Sequence, residues 1–446
     1  MKQTSAEGSW ADLSFWGEVA GLALAAPFFY LSGRLPTWGP LAGLLLLAGT
    51  WVWRKRRLGV WFSRTPADWP LLLLLLLLPL AVWVAPADLR ARYAWPRALI
   101  LLWNLAFFAL VAVHSRRGQP LRTLTAGGLV LLGAGIAAAA LFGTHWDTKS
   151  PLLTALLERL PRLPVAIFGA ADEGFSPNQV AGTLLYVLPL ALGWLAVEVR
   201  RRRPLPIAAL ALACAVMGLV MAATQSRAGL VGLAAALLIL LLWPWRWGRW
   251  LLGGGAAAIL AALILLPVPD LLTALDDTTK VQGVYGSLSI AGRMEIWARA
   301  ARALADFPLT GVGLGAFRGV VHQLYPLYLI PPDYDIAHAH NFFLQSGLDL
   351  GLLGLAAVIA LYLLGGERCW TLDRTPLFDG HRAWSAGLLA ALLGQAVYSL
   401  ADAVALGSKT DLLLWFLLGL IFGLSAGPGD QLPDKLSSSL PEGADG

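Results

Sequence analysis

Two histidines, His338 and His340, stand at the foot of a long apolar run (337–354, AHAHNFFLQSGLDLGLLG), directly after the largest hydrophilic stretch of the chain. An imidazole exchanges protons near neutral pH, so His340 can serve as general base, general acid or metal ligand. The plainer reading is a histidine that opens a helix and bonds a carbonyl. The His338-x-His340 spacing suits two metal ligands, but the only nearby candidates for a third are the loop acids Asp333 and Asp335, and no metal is assigned. Two arginines complete the set. Arg227 lies in a short polar connection (224–228, TQSRA), and Arg293 opens a helical stretch with Trp297 one turn on. A guanidinium stays charged and offers a planar fork to phosphate, so two of them can hold a pyrophosphate. Gln225 and Ser226 are polar neighbours able to support an anion. Against this, Arg227 can equally be an interfacial arginine whose stem snorkels along apolar surface.

The elements that position these residues are membrane helices. Of the 446 residues 58% are hydrophobic and 13% charged, with a mean hydropathy of +0.67. A soluble domain carries about 25% charged residues, so a large soluble core is excluded and a polytopic, all-α membrane protein is expected. Apolar runs at 15–33, 38–53, 69–86, 94–113, 123–142, 178–198, 205–224, 228–244, 249–267, 342–364, 384–404 and 410–425 predict about 12 spans. Many of the 20 tryptophans flank these runs, as an interfacial belt would. With the N-terminus inside, 19 of the 33 basic residues fall on inner segments and only six on short outer connections, which predicts that both termini are cytoplasmic. The first residues are read as a cytoplasmic tail and not a cleaved signal. The net charge of +6 then reflects topology and anionic inner lipid, not nucleic-acid binding.

The expected organisation is nine transmembrane helices over 1–267, a periplasmic loop domain at 268–340, three further helices over 341–425, and a disordered cytoplasmic tail at 426–446. Within the loop, residues 292–306 predict a helix with Ile296, Ala300, Leu304 and Phe307 at apolar spacing, ended by Pro308. A glycine-rich turn (311–315, GVGLG) and a second short helix around 317–328 come next. The turn lacks a preceding strand and faces away from cytosolic nucleotide, so it is read as a turn between helices. Asp349 and Asp402 are costly in lipid and are expected to face the bundle interior, with hydrogen bonding between helices the default role for both; either can also orient a histidine, pair with an arginine or serve a proton path. Cys214 and Cys369 lie at different depths and predict neither a disulfide nor a zinc site.

Taken in order, these pieces resemble the O-antigen ligase and O-antigen polymerase superfamily of integral-membrane glycosyltransferases. The resemblance rests on SPNQVAG (176–182) with Pro189 in the next span, QSRAG (225–229), Gly292-Arg293 with Trp297, PLTGVGLG (308–315), and His340-Asn341 followed by Gly351 and Gly354. It implies a GT-C-like, cofactor-free and metal-independent enzyme of the bacterial inner membrane, working at the periplasmic face. The implied donor is a glycan on undecaprenyl pyrophosphate; the implied acceptor is lipid A core for a ligase, or another carrier-linked repeat for a polymerase. Carried over by motif, His340 is the catalytic histidine, Arg227 and Arg293 bind pyrophosphate, and His338, Asn341, Gln225 and Asn178 belong to the substrate site. The HAHN form favours a ligase over a polymerase, and a protein O-oligosaccharyltransferase shares the same motif core. A transporter of lipid-linked glycan is the rival from another class. It predicts charge spread through the bundle depth, whereas here charge gathers at the outer rim.

Overall fold

A computed structural model describes residues 13–144, 146, 155, 157, 159–161, 175–265, 290–375, 378 and 380–424. The expected N-terminal tail, the first part of the 268–340 loop and the tail after 426 lie outside the described residues. Among the described residues the chain is all-helical, with no strand. Five helices among these residues are long and apolar enough to cross a membrane: α1 (Leu13–Tyr30), the segment Ala87–His114 that ends in α4 (Trp95–His114), α5 (Gln119–Gly143), α8 (Pro204–Thr224) and α13 (Phe342–Arg374). A bent pair, α6 (Pro177–Leu185) and α7 (Leu188–Arg201), makes a sixth if counted as one span. The apolar run at 178–198 predicts one helix there, and the structure breaks it. Pro189 lies in the first turn of α7, where its missing N–H costs nothing but cannot continue α6, and the two halves meet at 41°.

The remaining helices are α2 (Gly39–Leu58), α3 (Asp68–Val84), α9 (Arg227–Leu242), α10 (Arg246–Leu265), α11 (Ile290–Asp306), α12 (Phe317–Leu324), α14 (His381–Ser399) and α15 (Leu412–Leu424). All but one of the 13 residues of α15 are buried, as are 13 of the 19 of α14. α14 packs against α7, α9 and α13, while α15 packs on α4. Small residues allow the closest crossings: a Cβ on Gly232 of α9 would stand 2.6 Å from the Gly394 carbonyl of α14, and one on Gly193 of α7 would stand 2.8 Å from the Ala383 carbonyl. In lipid, where apolar surface gains nothing by hiding, such close backbone packing is what holds helices together. The leucine octet of α3 shows the complement: Leu74 and Leu78, one turn apart, are buried, whereas Leu72, Leu75 and Leu76 are exposed.

α13 carries the second irregularity. Gly351 leaves helical geometry with φ +74°, which frees the Leu348 carbonyl and the Leu352 amide. Both are recaptured by the glycine-rich turn: Val312 N–H donates to the Leu348 carbonyl and Leu352 N–H to the Pro308 carbonyl, each at 2.7 Å. A freed backbone group away from water must find a partner, and the PLTGVGLG turn supplies it. Gly311, Gly313 and Gly315 all have positive φ, and a side chain at each would strike Leu348, Ala85 or Arg97 respectively. The turn is therefore a splice joining α3, α4 and α13. It lies close under the histidine loop.

Candidate active site

Four side chains from three parts of the chain converge beside the C-terminal end of α14. Asp402, 2% exposed, sits just past that helix and is fixed by its own backbone, with its N–H on the Tyr398 carbonyl at 3.0 Å. Its Oδ1 accepts from the Ala403 amide at 2.8 Å and lies 3.3 Å from His340 Nδ1. Its Oδ2 faces Arg293 Nη2, in the first turn of α11, at 3.5 Å. His338 completes the group, with Nε2 4.0 Å from Asp402 Oδ1. Since a carboxylate only accepts, Nδ1 of His340 carries the hydrogen and Nε2 is the basic nitrogen. That is the arrangement in which a carboxylate orients an imidazole for proton transfer.

The loop before α13 is shaped to present the two histidines. His340 adopts a left-handed backbone with φ +47°, a conformation uncommon outside glycine and one that recurs where a site is held under strain. Its amide donates to His338 Nδ1 at 3.2 Å, its carbonyl accepts from Trp297 Nε1 at 3.2 Å, and the two imidazoles meet edge to face with centroids 4.5 Å apart. Asn341 is the N-cap of α13: its Oδ1 accepts from the Leu344 amide at 2.9 Å and its Nδ2 donates to the Leu400 carbonyl at 3.0 Å. A cap that also ties to α14 explains the asparagine without any ligand. On the loop's outer side, Arg318 pairs with Asp335 and lies over the Tyr93 ring at 4.1 Å, tethering the segment that leads to His338.

Burial pushes the His338 imidazole down to about 3, and the neighbouring His340 and the cations of Arg97 and Arg293 act the same way, against the opposing pull of Asp402. The neutral ring suits its role as acceptor from the His340 amide. Unfolded, a histidine titrates near 6.5, so between about 3 and 6.5 the unfolded chain binds more protons than the folded one. Stability is therefore full above about pH 6.5 and falls as the pH drops through that window. Thermal unfolding of detergent-solubilised protein between pH 4.5 and 7.5 is expected to show this decline, and His338→Asn, which keeps an acceptor but cannot ionise, should flatten it. Equal slopes for the two proteins would remove His338 from the explanation.

The other residues singled out by sequence are placed around this centre. Arg227 heads α9, exposed, and its guanidinium has no partner among the described residues. It lies at the same end of the bundle: the side chain missing from Gly232, just over one turn into α9, would meet Tyr398, the residue whose carbonyl holds Asp402. It does not touch the Asp402 cluster. Ser226 is the N-cap of α9, accepting from Gly229 N–H at 3.2 Å, and Gln225 closes α8 in a left-handed turn with φ +46°. The Asn178 carbonyl accepts from the Tyr398 hydroxyl at 2.8 Å, with Gly182 leaving room for that ring. Arg293 clasps both the Ala401 carbonyl and Asp402.

Asp402 is the residue whose weight is hardest to read from the sequence. Its chain position marks it as an interior acid able to orient a histidine or pair with an arginine, and it does both. It also corrects the metal reading: His338, His340 and Asp402 bring ligand atoms within 4.8 Å of one another, so a third donor exists where the sequence offers only Asp333 and Asp335 nearby. On its other oxygen the same carboxylate faces the Arg293 cation at 3.5 Å.

The fold and the site define an all-helical membrane protein with an acid–imidazole–guanidinium cluster at one end of its bundle. A family model described as O-antigen ligase matches residues 212–359, a stretch from α8 through His340 into α13. An O-antigen ligase of Pseudomonas aeruginosa is 28% identical over 325 residues, covering 72% of this chain and 68% of that protein. The likeness to O-antigen ligases carried by the motifs is thereby shown.

Proposed function

We propose that this protein is a periplasmic-face glycosyltransferase of the bacterial inner membrane that moves a glycan from undecaprenyl pyrophosphate to an acceptor sugar, as an O-antigen ligase does onto lipid A core. The observation that carries the reading is the His340–Asp402–Arg293 cluster, with His340 and Arg293 inside the stretch matched by the family model. His340 Nε2 takes the proton of the acceptor hydroxyl while Asp402 holds Nδ1–H and steadies the imidazolium that forms. The freed oxygen attacks the anomeric carbon, the bond from that carbon to the pyrophosphate oxygen breaks, and the leaving diphosphate gathers negative charge. Arg293 and Arg227 stabilise that charge in a partly dry site. One displacement inverts the anomeric centre. The glycosyl diphosphate linkage supplies the driving force, so no nucleotide is needed, and in this reading the two guanidinium groups carry the charge stabilisation at the diphosphate.

The topology that goes with this reading has both termini cytoplasmic, residues 268–340 as a periplasmic cover and about 12 crossings in a GT-C-like arrangement. The shorter apolar helices Asp68–Val84 and Arg227–Leu242 support crossings beyond the five long ones. The exposed apolar length of α10 supports a lipid neighbour there. In this reading His338, Asn341, Gln225 and Asn178 contribute to the shape of the sugar site. The test is a strain lacking the gene: glycan is expected to accumulate on the carrier lipid while lipid A core stays bare. Core bearing a single repeat unit would assign the protein to polymerisation instead, and unchanged lipopolysaccharide and carrier pools would end the proposal.

A further inference from the structure

The strained turn that presents His340 has a buried support that takes no part in the chemistry above. Ala339, fully buried between the two histidines, donates its N–H to Gln345 Oε1 at 2.8 Å. Gln345 in turn donates from Nε2 to Asp349 Oδ1 at 2.8 Å. That oxygen also accepts the Gly315 amide at 2.9 Å. Both side chains are buried, at 1% and 0% exposure, on one face of α13 and one turn apart. Behind them lies the guanidinium of Arg97: its Nη1, which has no hydrogen-bond partner among the described residues, would stand 3.1 Å from a Cβ on Gly315. Its charge is felt at Asp349.

The chain of bonds therefore runs from the glycine-rich splice through Asp349 and Gln345 to the backbone between His338 and His340, and so ties that turn to the interior of α13. A left-handed residue persists only where its surroundings over-determine it, and here the surroundings are these two side chains together with the Asn341 cap and the Trp297 bond to the His340 carbonyl. We propose that Gln345 and Asp349 are positioning residues that hold the His338–Ala339–His340 turn so that His340 stays on Asp402. The inference rests on the transferase reading for its kinetic consequence, but not for its structural one.

The variants to compare are Gln345→Met, which keeps length and burial but removes both bonds, and the exchange Gln345→Glu with Asp349→Asn. In the exchange the glutamate accepts from Ala339, the asparagine donates to the glutamate and still accepts from Gly315. In a reconstituted transfer assay Gln345→Met is expected to lower kcat by about 10²-fold, the cost of misplacing a reacting group by an ångström, with the donor KM unchanged. The double exchange should recover most of that loss and melt close to wild type, whereas Gln345→Met, which orphans the buried Ala339 amide, should fold but melt somewhat lower. Hydrogen exchange read on the peptide spanning 337–341 should speed up at least tenfold in Gln345→Met, with residues 352–365 of α13 still protected. That second readout stands without any activity. If the wild type transfers nothing yet the turn loses protection, the transferase reading fails and the positioning survives. If Gln345→Met keeps kcat within twofold of wild type, or the turn stays protected in it, the positioning role is overturned. Should Gln345→Met not fold, an exchange variant that folds but keeps less than a tenth of wild-type kcat overturns it as well.

Discussion

His340→Ala is expected to lower glycan transfer by about 10²- to 10⁴-fold, the range that a positioned general base contributes, while the protein still inserts and melts normally. Among the described residues the side-chain interactions of His340 are with Asp402 and the His338 ring, both within the cluster, so the packing of the helices does not depend on it. Asp402→Asn should come close to the same loss for a different reason. An amide can present its N–H to Nδ1, which favours the tautomer with the proton on Nε2, where a base must be bare. It also leaves Arg293 facing a neutral group. The measurement is transfer of a labelled glycan from carrier pyrophosphate by protein in nanodiscs. Either variant retaining more than a tenth of wild-type turnover would remove the imidazole–carboxylate pair from the mechanism.

Arg293→Lys should cost about 10²-fold in kcat, as loss of one preorganised donor at a developing anion does. A lysine keeps the charge but not the fork, and here the fork is already divided between the Ala401 carbonyl and Asp402. A single ammonium cannot hold both and still reach a ligand. Arg227→Lys separates binding from architecture. Arg227 has no protein partner among the described residues, so if it binds the donor as proposed, its replacement should raise the donor KM on the order of tenfold, the worth of one charge-assisted bond, with no change in melting. Near-normal kinetics for both lysine variants would dissolve the pyrophosphate clamp.

Much of this architecture can be read from the chain. Apolar runs between charges locate α1, α5, α8 and α9 to within a few residues, since desolvation of the backbone leaves a helix as the only open solution in lipid. The loop helices are readable as well, α11 from its apolar spacing and the stop at Pro308, α12 from the residues that come after the glycines. The features that escape are those that depend on a distant partner. Gly351 looks like one more small residue in a transmembrane run, and only the docking of residues 308–312 turns it into a break. Asn341 looks like a ligand because it comes directly after His340, yet its amide is taken up capping α13 and tying it to Leu400. Asp402 is harder still: no local pattern says that an acid beyond α14 meets histidines 62 and 64 residues earlier and an arginine on α11. Tertiary packing decides that, and periodicity is silent on it. The buried Gln345–Asp349 pair has a faint signal, two polar residues one turn apart in an apolar helix, but only the structure shows what they hold.

The most direct test of the whole account is the transfer reaction with purified wild-type protein, given carrier-pyrophosphate-linked glycan and lipid A core in the presence of a chelator. The expected result is glycan joined to the core sugar with inverted anomeric configuration, undecaprenyl pyrophosphate released in equal amount, and no dependence on added metal. Glycan left on the carrier under these conditions, with activity restored by zinc at the His338–His340–Asp402 cluster, would contradict it.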